Sequence, residues 1–217
     1  MSLRINDIAP NFTADTTEGK IDFHEWIGDG YAILFSHPKD FTPVCTTEFA
    51  AAASLADEFA KRNTKVIGIS VDGVEDHLKW KADVEKFGGN PMTFPIIADE
   101  NLEVAKLYDM LPADAILPDG RTPADTQTVR TTFIINPQKK IELMLIYPMS
   151  VGRNFDEILR ALDAIQAAEG TPIATPANWR PGDDVIVALS LSTDDAKEKF
   201  GDVNVVFPYL RTTKQPS

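Results

Sequence analysis

The feature that most limits the fold of this chain is an alternation, in which short apolar runs of buried-strand type take turns with segments that begin as helices do. Tyr31-Ala32-Ile33-Leu34-Phe35 reads as one such strand, closed by Ser36-His37-Pro38 because proline cannot donate to a ladder. A helix is expected from Thr42-Pro43, an N-cap residue followed by proline at the first helical position, through Phe49, Leu55 and Phe59 to about Arg62. The order repeats with a strand over 66–71 and a helix over 74–87 that sets Leu78, Val84 and Phe87 on one side. A strand over 94–98, a helix over 101–108 and a proline-rich loop over 111–126 follow. Two strands, 128–135 and 140–147, flank the turn Asn136-Pro137-Gln138-Lys139, and 154–168 reads as a helix with Phe155, Ile158, Leu159, Leu162 and Ile165 at core spacing.

Strands alternating with helices and ending in a hairpin plus helix predict an α/β fold, a mixed sheet flanked by helices. A thioredoxin-like layout fits this order, although periodicity alone does not select it from other small α/β sheets. The segment Gly170-Thr171-Pro172-Ile173-Ala174-Thr175-Pro176 cannot continue a helix and marks a boundary, giving a main domain over 1–169 and a small α+β extension over 170–217. In the extension a strand is expected over 185–189, a short acidic helix over 192–200 and a further strand over 203–210, with Trp179, Phe207, Tyr209 and Leu210 as packing residues. A tail that short buries too little to fold alone, so it is expected to pack on the main domain or on a partner chain.

The charge balance narrows the partners. With 33 acidic and 21 basic residues the net charge is −12, which repels phosphate backbones and anionic headgroups, so neither nucleic acid nor membrane is an expected partner. The first ten residues carry Arg4, Asp7 and Pro10 without the apolar core of a signal peptide, and the longest apolar stretch, 141–149, is interrupted by Glu142 and Pro148. A cytoplasmic location is the expectation. One cysteine in 217 residues leaves no intrachain disulfide, no CxxC pair and no thiolate metal cluster. His24 and His77 have no cysteine or carboxylate at metal-ligand spacing, so no metal is assigned.

A lone cysteine is commonly a small buried hydrophobe, but Cys45 stands three residues after Thr42, where a capping box would place Glu or Gln. An anion at that position faces free backbone N–H groups and the positive end of the helix dipole, which favour thiolate over thiol. Thr42 has two readings, a helix cap and a hydroxyl aimed at the sulfur or at a substrate oxygen. Arg130 interrupts an otherwise apolar, β-branched run, so it either lies on an exposed edge or is buried beside an anion. Glu48, one turn after Cys45, is either a first-turn glutamate serving the dipole or the holder of an arginine. His37 at the strand end either lies near the site or satisfies backbone groups.

Pro38-Lys39-Asp40-Phe41-Thr42-Pro43-Val44-Cys45 matches the PxxxTxxC signature of the peroxiredoxins, and the longer run from Phe35 through Glu48 resembles the one-cysteine, peroxiredoxin-6-like subfamily of the AhpC/TSA superfamily. Gly152-Arg153-Asn154-Phe155-Asp156-Glu157-Ile158-Leu159-Arg160 and Ala174-Thr175-Pro176-Ala177-Asn178-Trp179 resemble it too, so the likeness spans almost the whole chain. The resemblance implies a thioredoxin-like peroxidase domain with a C-terminal extension that covers the site and contributes to a homodimer or higher homo-oligomer. It implies that Cys45 attacks hydrogen peroxide or organic hydroperoxides with help from Thr42 and Arg130, and that Pro38 shields the sulfur. In this reading His37 lies nearby, and Glu48 positions Arg130 and Arg153. No haem, flavin or metal cofactor is needed. With no second thiol, the resulting sulfenic acid must be reduced by an external thiol such as glutathione or a thioredoxin-type protein. Two alternatives stand beside this: a cysteine hydrolase using His37 as base, and a redox sensor or chaperone switched by Cys45 oxidation. Some members of the subfamily carry a GxSxG-like serine associated with phospholipase activity; here the stretch is Gly28-Asp29-Gly30-Tyr31-Ala32, with Gly30 in the serine's place, which speaks against that activity.

Overall fold

The computed structural model describes residues 2–115 and 125–216. Its elements are β1 (Thr13–Thr16), β2 (Gly19–Asp22), α1 (Phe23–Ile27), β3 (Tyr31–Ser36), α2 (Pro43–Ser54), α3 (Ala56–Lys61), β4 (Thr64–Ser70), α4 (Val74–Gly88), β5 (Ile96–Ala98) and α5 (Glu103–Leu107). They continue with β6 (Arg130–Ile135), β7 (Ile141–Tyr147), α6 (Phe155–Ala168), β8 (Ile173–Ala174), β9 (Val185–Val187), α7 (Thr193–Phe200), β10 (Asn204–Phe207) and β11 (Leu210–Thr213). Most of the proline-rich loop expected over 111–126 lies outside the described residues. Two compact units emerge, 1–155 and 156–217. The boundary read from Gly170 and this one differ by the length of α6.

The first unit holds a seven-stranded mixed sheet in the order β2-β1-β5-β4-β3-β6-β7, flanked by helices, in keeping with the α/β expectation. The central strand β3 pairs parallel with β4 and antiparallel with β6, and all six of its residues are buried. A strand covered on both faces has no solvent side, which is why its sequence is a continuous apolar run rather than an alternation. Leu34, Ile67, Ile69 and Phe133 from these three strands form the middle of the core together with Phe23 and Tyr108. Gly68 is required by packing: a Cβ there would lie 2.6 Å from Cζ of Phe49 on α2. The turn after β6 closes as expected, with Lys139 at φ 64 and its N–H bonded to Asn136 O.

Two local expectations are corrected, and one stretch went unread. The helix expected from Pro43 to about Arg62 is broken at Leu55: the Ser54 hydroxyl takes the Ala51 carbonyl, and the Leu55 N–H turns to Ala52 O instead. On α4 the buried residues are His77, Trp80 and Val84, while Leu78 and Phe87 are 50% and 64% exposed. The spacing 77, 80, 84 is a regular helical stripe, missed because histidine counts as polar. The hairpin β1–β2 and the short α1 also lie in a stretch too polar to read as structure.

The second unit begins with α6, along which Ile158, Ala161 and Leu162 are buried. Its four-stranded sheet runs β10-β11-β9-β8. Trp179 is buried with Ile173 and Val185, as expected of a packing residue. Phe207 and Tyr209 are instead 49% and 66% exposed and stack on each other, centroids 5.4 Å apart. The expected strand over 203–210 is two strands, because Pro208 and Tyr209 turn the chain between β10 and β11.

Candidate active site

The sheet topology brings the chemistry together at one end. β3 runs out at Ser36 beside the start of β6, where Ser36 Oγ meets Val129 O and accepts from Thr131 N. From there residues 37–42 loop into α2, whose N-cap Thr42 has extended backbone (φ −117, ψ 146), with Pro43 at the first helical position and Cys45 two residues further. Phe41, just before, sits at φ 55, a conformation a bulky residue adopts only when its surroundings impose it.

Cys45 is wholly buried. Arg130, at the start of β6, points its Nη1 at the sulfur at 3.4 Å and at Glu48 Oε2 at 2.5 Å, while its Nε donates to Met149 O at 2.8 Å. Its Nη2 has no protein partner among the described residues. The arginine is therefore the buried, anion-paired kind rather than an edge-strand one. Glu48 also takes three bonds from Arg153, from the backbone N and Nε at 2.8 Å to Oε1 and from Nη2 at 2.7 Å to Oε2. Arg153 Nη1 reaches Thr131 O and Thr132 Oγ1, and its guanidinium lies over Phe35, 5.0 Å from the ring centroid. Burial works against a charged Glu48, but the hydrogen bonds and charge of Arg153, with the charge of Arg130, hold its carboxyl below the usual value.

Two guanidinium charges against one carboxylate leave this buried cluster one negative charge short, and the Cys45 sulfur is the atom in contact with Arg130 beside that carboxylate. Thr42 does not cap the helix: its hydroxyl donates to Lys39 O at 2.9 Å. The hydroxyl lone pairs are left as acceptors. Pro38 is buried in the loop.

His37 is buried and bonds through Nε2 to Asp40 Oδ1 at 2.7 Å, while its Nδ1 has no partner among the described residues. No imidazole stands at hydrogen-bond distance from Cys45 among the described residues, so the base a cysteine hydrolase needs is missing. His77 corrects the sequence reading, because Asp40 Oδ2 lies 2.6 Å from its Nδ1, a pairing across 37 residues that spacing rules do not reach. A hint was available in the His37-x-x-Asp40 spacing and in a histidine on the buried stripe of α4. Gly30 has no space for a serine: a Cβ there would lie 2.5 Å from the Asn63 backbone oxygen, and His24 Nε2 is engaged with Ala9 O at 2.8 Å.

Known proteins resemble this chain along nearly its whole length. The family model for the AhpC/TSA family matches residues 5–144, and that for the C-terminal domain of 1-Cys peroxiredoxin matches 164–202. The chain is 52% identical over 215 residues to mitochondrial peroxiredoxin PRX1 of Saccharomyces cerevisiae, covering 98% of this chain and 81% of that one. It is 48% identical over 225 residues to mouse peroxiredoxin-6, covering 99% and 98%. Among solved structures, a yeast mitochondrial 1-Cys peroxiredoxin studied for thiol resolution via glutathione/thioredoxin systems superposes with TM-score 0.89 at 52% identity, covering 98% of this chain and 99% of that one. A cysteine-to-serine mutant of the peroxiredoxin 6 of Arenicola marina superposes with TM-score 0.92 at 42% identity over the whole of both chains.

Proposed function

The chain belongs to the AhpC/TSA family and carries the C-terminal domain of 1-Cys peroxiredoxins, and from that premise we propose how the buried residues around Cys45 divide the work. The protein is a thiol peroxidase with a thioredoxin-like fold, an oxidoreductase that reduces hydroperoxides. The Cys45 thiolate attacks the terminal oxygen of ROOH; the S–O bond forms as the O–O bond breaks, and RO⁻ leaves and takes up a proton as ROH. Cys45 is left as the sulfenic acid, two electrons more oxidised.

The observation that carries the assignment is Arg130, in contact with the sulfur at 3.4 Å and with one guanidinium nitrogen uncommitted among the described residues. A donor held there stabilises charge as it moves from sulfur to the leaving oxygen. Thr42, with its proton given to Lys39 O, accepts the hydrogen of the attacked oxygen. Glu48 and Arg153 keep Arg130 in place, and Pro38 keeps water from the sulfur.

The sulfenic acid condenses with an external thiol RSH to a mixed disulfide and water, and a second RSH releases Cys45 and RSSR. Glutathione and a thioredoxin-type protein are the two reductants we carry over from the yeast relative. A homodimer is the assembly we propose: β7 is the outer strand of its sheet, with Ile146 62% exposed, and an open edge of that kind pairs readily with a second copy. No described helix is long and apolar enough to cross a membrane, and we propose the cytoplasm as the location, to be tested by fractionation.

The decisive experiment follows peroxide consumption with glutathione or thioredoxin as donor, with the intact mass of the protein as second readout. Wild-type protein is expected to turn over repeatedly and pass through a one-oxygen adduct, and Cys45→Ser to do neither. Full turnover by Cys45→Ser would overturn the assignment. One equivalent of peroxide consumed and no more would favour the redox-sensor alternative, which the peroxiredoxin relatives do not.

A further inference from the structure

Behind the first turn of α2 lies a second buried polar cluster that the reaction as written does not use. The Asp40 carboxylate stands between two imidazoles, Oδ1 at 2.7 Å from His37 Nε2 and Oδ2 at 2.6 Å from His77 Nδ1, with all three side chains fully buried. His77 Nε2 lies 3.2 Å from Ile97 O, and the Asp40 N–H donates to Asp72 Oδ2 at 2.8 Å, which Ser70 Oγ also meets at 2.8 Å. A carbonyl only accepts, so His77 Nε2 carries a hydrogen, and each imidazole–carboxylate contact needs one more. The trio is then electrically neutral on whichever side of the Asp40–His77 contact that hydrogen sits. The bare nitrogen of the trio is His37 Nδ1, where a lone pair is tolerated better than an orphaned N–H.

These contacts bridge by hydrogen, not by metal. An ion bound at about 2.0–2.2 Å to each donor would hold the nitrogen and oxygen atoms roughly 3 Å or more apart.

The same face of α4 grips the next turn. Trp80 stacks on the His37 ring, centroids 5.0 Å apart, and donates Nε1–H to Thr46 Oγ1 at 3.1 Å; the Thr46 hydroxyl in turn donates to Thr42 O at 2.9 Å. Between these two anchors runs the segment with Phe41 at φ 55, Thr42 and the start of α2. Backbone in that conformation persists only where its surroundings over-determine it.

We propose that His37, Asp40 and His77 are positioning residues, a neutral hydrogen-bonded brace that ties residues 37–42 to α4 and so sets the Thr42 hydroxyl and the Cys45 turn in register with Arg130. The proposal rests on Cys45 being the thiol that reacts with peroxide. Peroxide attack needs the sulfur, Thr42 and Arg130 aligned together, whereas alkylation of the buried sulfur by iodoacetamide needs only that the turn let the reagent in, so a peroxide rate that falls while alkylation holds or rises isolates positioning.

The test measures both rates by stopped flow and mass spectrometry for wild type, Asp40→Ala, His77→Phe and Asp40→Asn, with circular dichroism to establish folding. Misplacing the turn by an ångström is expected to slow peroxide oxidation about tenfold to a hundredfold in Asp40→Ala and His77→Phe, with alkylation unchanged or faster. Asp40→Asn accepts from His37 and donates to His77, so it is expected to keep the peroxide rate within about threefold of wild type. Should Asp40→Ala not fold, the contrast between His77→Phe and Asp40→Asn decides. Equal peroxide rates in wild type and His77→Phe, an equal loss in Asp40→Asn and His77→Phe, or stoichiometric metal in the purified protein would each overturn the brace. Wild-type protein that leaves peroxide untouched would instead overturn the reading of Cys45.

Discussion

Two buried charged clusters flank the first turn of α2, and they are built on opposite principles. The Glu48–Arg130–Arg153 cluster is one negative charge short and, among the described residues, keeps a guanidinium nitrogen uncommitted. The His37–Asp40–His77 cluster is neutral, and both oxygens of its carboxylate are taken by protein. An unbalanced cluster with a donor to spare acts on whatever enters the site; a balanced one with its carboxylate saturated acts on the backbone. Burial alone, nearly complete in both, does not tell the two apart, and the count of charges and unused donors does.

That contrast can be broken at several points. Glu48→Gln leaves two buried guanidinium groups without their carboxylate and is expected to cost about 3–5 kcal/mol in denaturant unfolding, as removing one partner of a buried ion pair does. An equal loss in Asp40→Asn would erase the distinction. Arg130→Met removes the spare donor and is expected to lower the rate of peroxide attack about 10²–10³-fold, which stopped-flow oxidation measures. Arg153→Lys cannot reproduce the fork that grips Glu48 at two oxygens, and about 1–3 kcal/mol of stability should be lost with a smaller effect on rate.

The smallest effect is in pH. Burial pushes the His37 ring below its ordinary value of 6.5, against the pull of Asp40, so the unfolded chain takes up a proton that the folded one refuses, and stability falls as pH drops below 6.5. The Glu48 carboxyl is held below its ordinary value of 4.5 by its arginines, and the stability this gives is present above 4.5 and lost as pH falls through the depressed value. Asp40 is depressed as well, through His37 and His77 against its burial, and adds to the lower stage. Melting temperature against pH should therefore decline in two stages, with His37→Gln flattening the upper and Glu48→Gln the lower. A single stage unaffected by either substitution would count against this ordering.

The first cluster was partly legible in sequence, Arg130 and Glu48 each with two readings and Arg153 through the family resemblance alone, and the second was not, for a physical reason. Thr42, Pro43 and Cys45 lie within one helical turn, where local rules for caps and dipoles apply. Glu48 follows one turn on, and Arg130 announces itself by breaking an apolar strand. Asp40 and His77 meet only because β3, β4 and α4 pack, and a histidine on a helix is counted with the polar residues. The same habit misassigned the buried face of α4 to Leu78 and Phe87 rather than to His77, Trp80 and Val84. The alternating order of the central strands gave the sheet, whereas the strands of two to four residues in β1, β2 and β8 carry too little pattern to read.

The burial of Cys45 gives the two halves of the cycle different appetites. A peroxide of a few atoms is expected to need less opening of the fold to reach that sulfur than a peptide or protein thiol needs to reach the sulfenic acid. Stiffening this turn is therefore expected to slow repair more than oxidation, and so to lengthen the time Cys45 spends as sulfenic acid during a burst of oxidant.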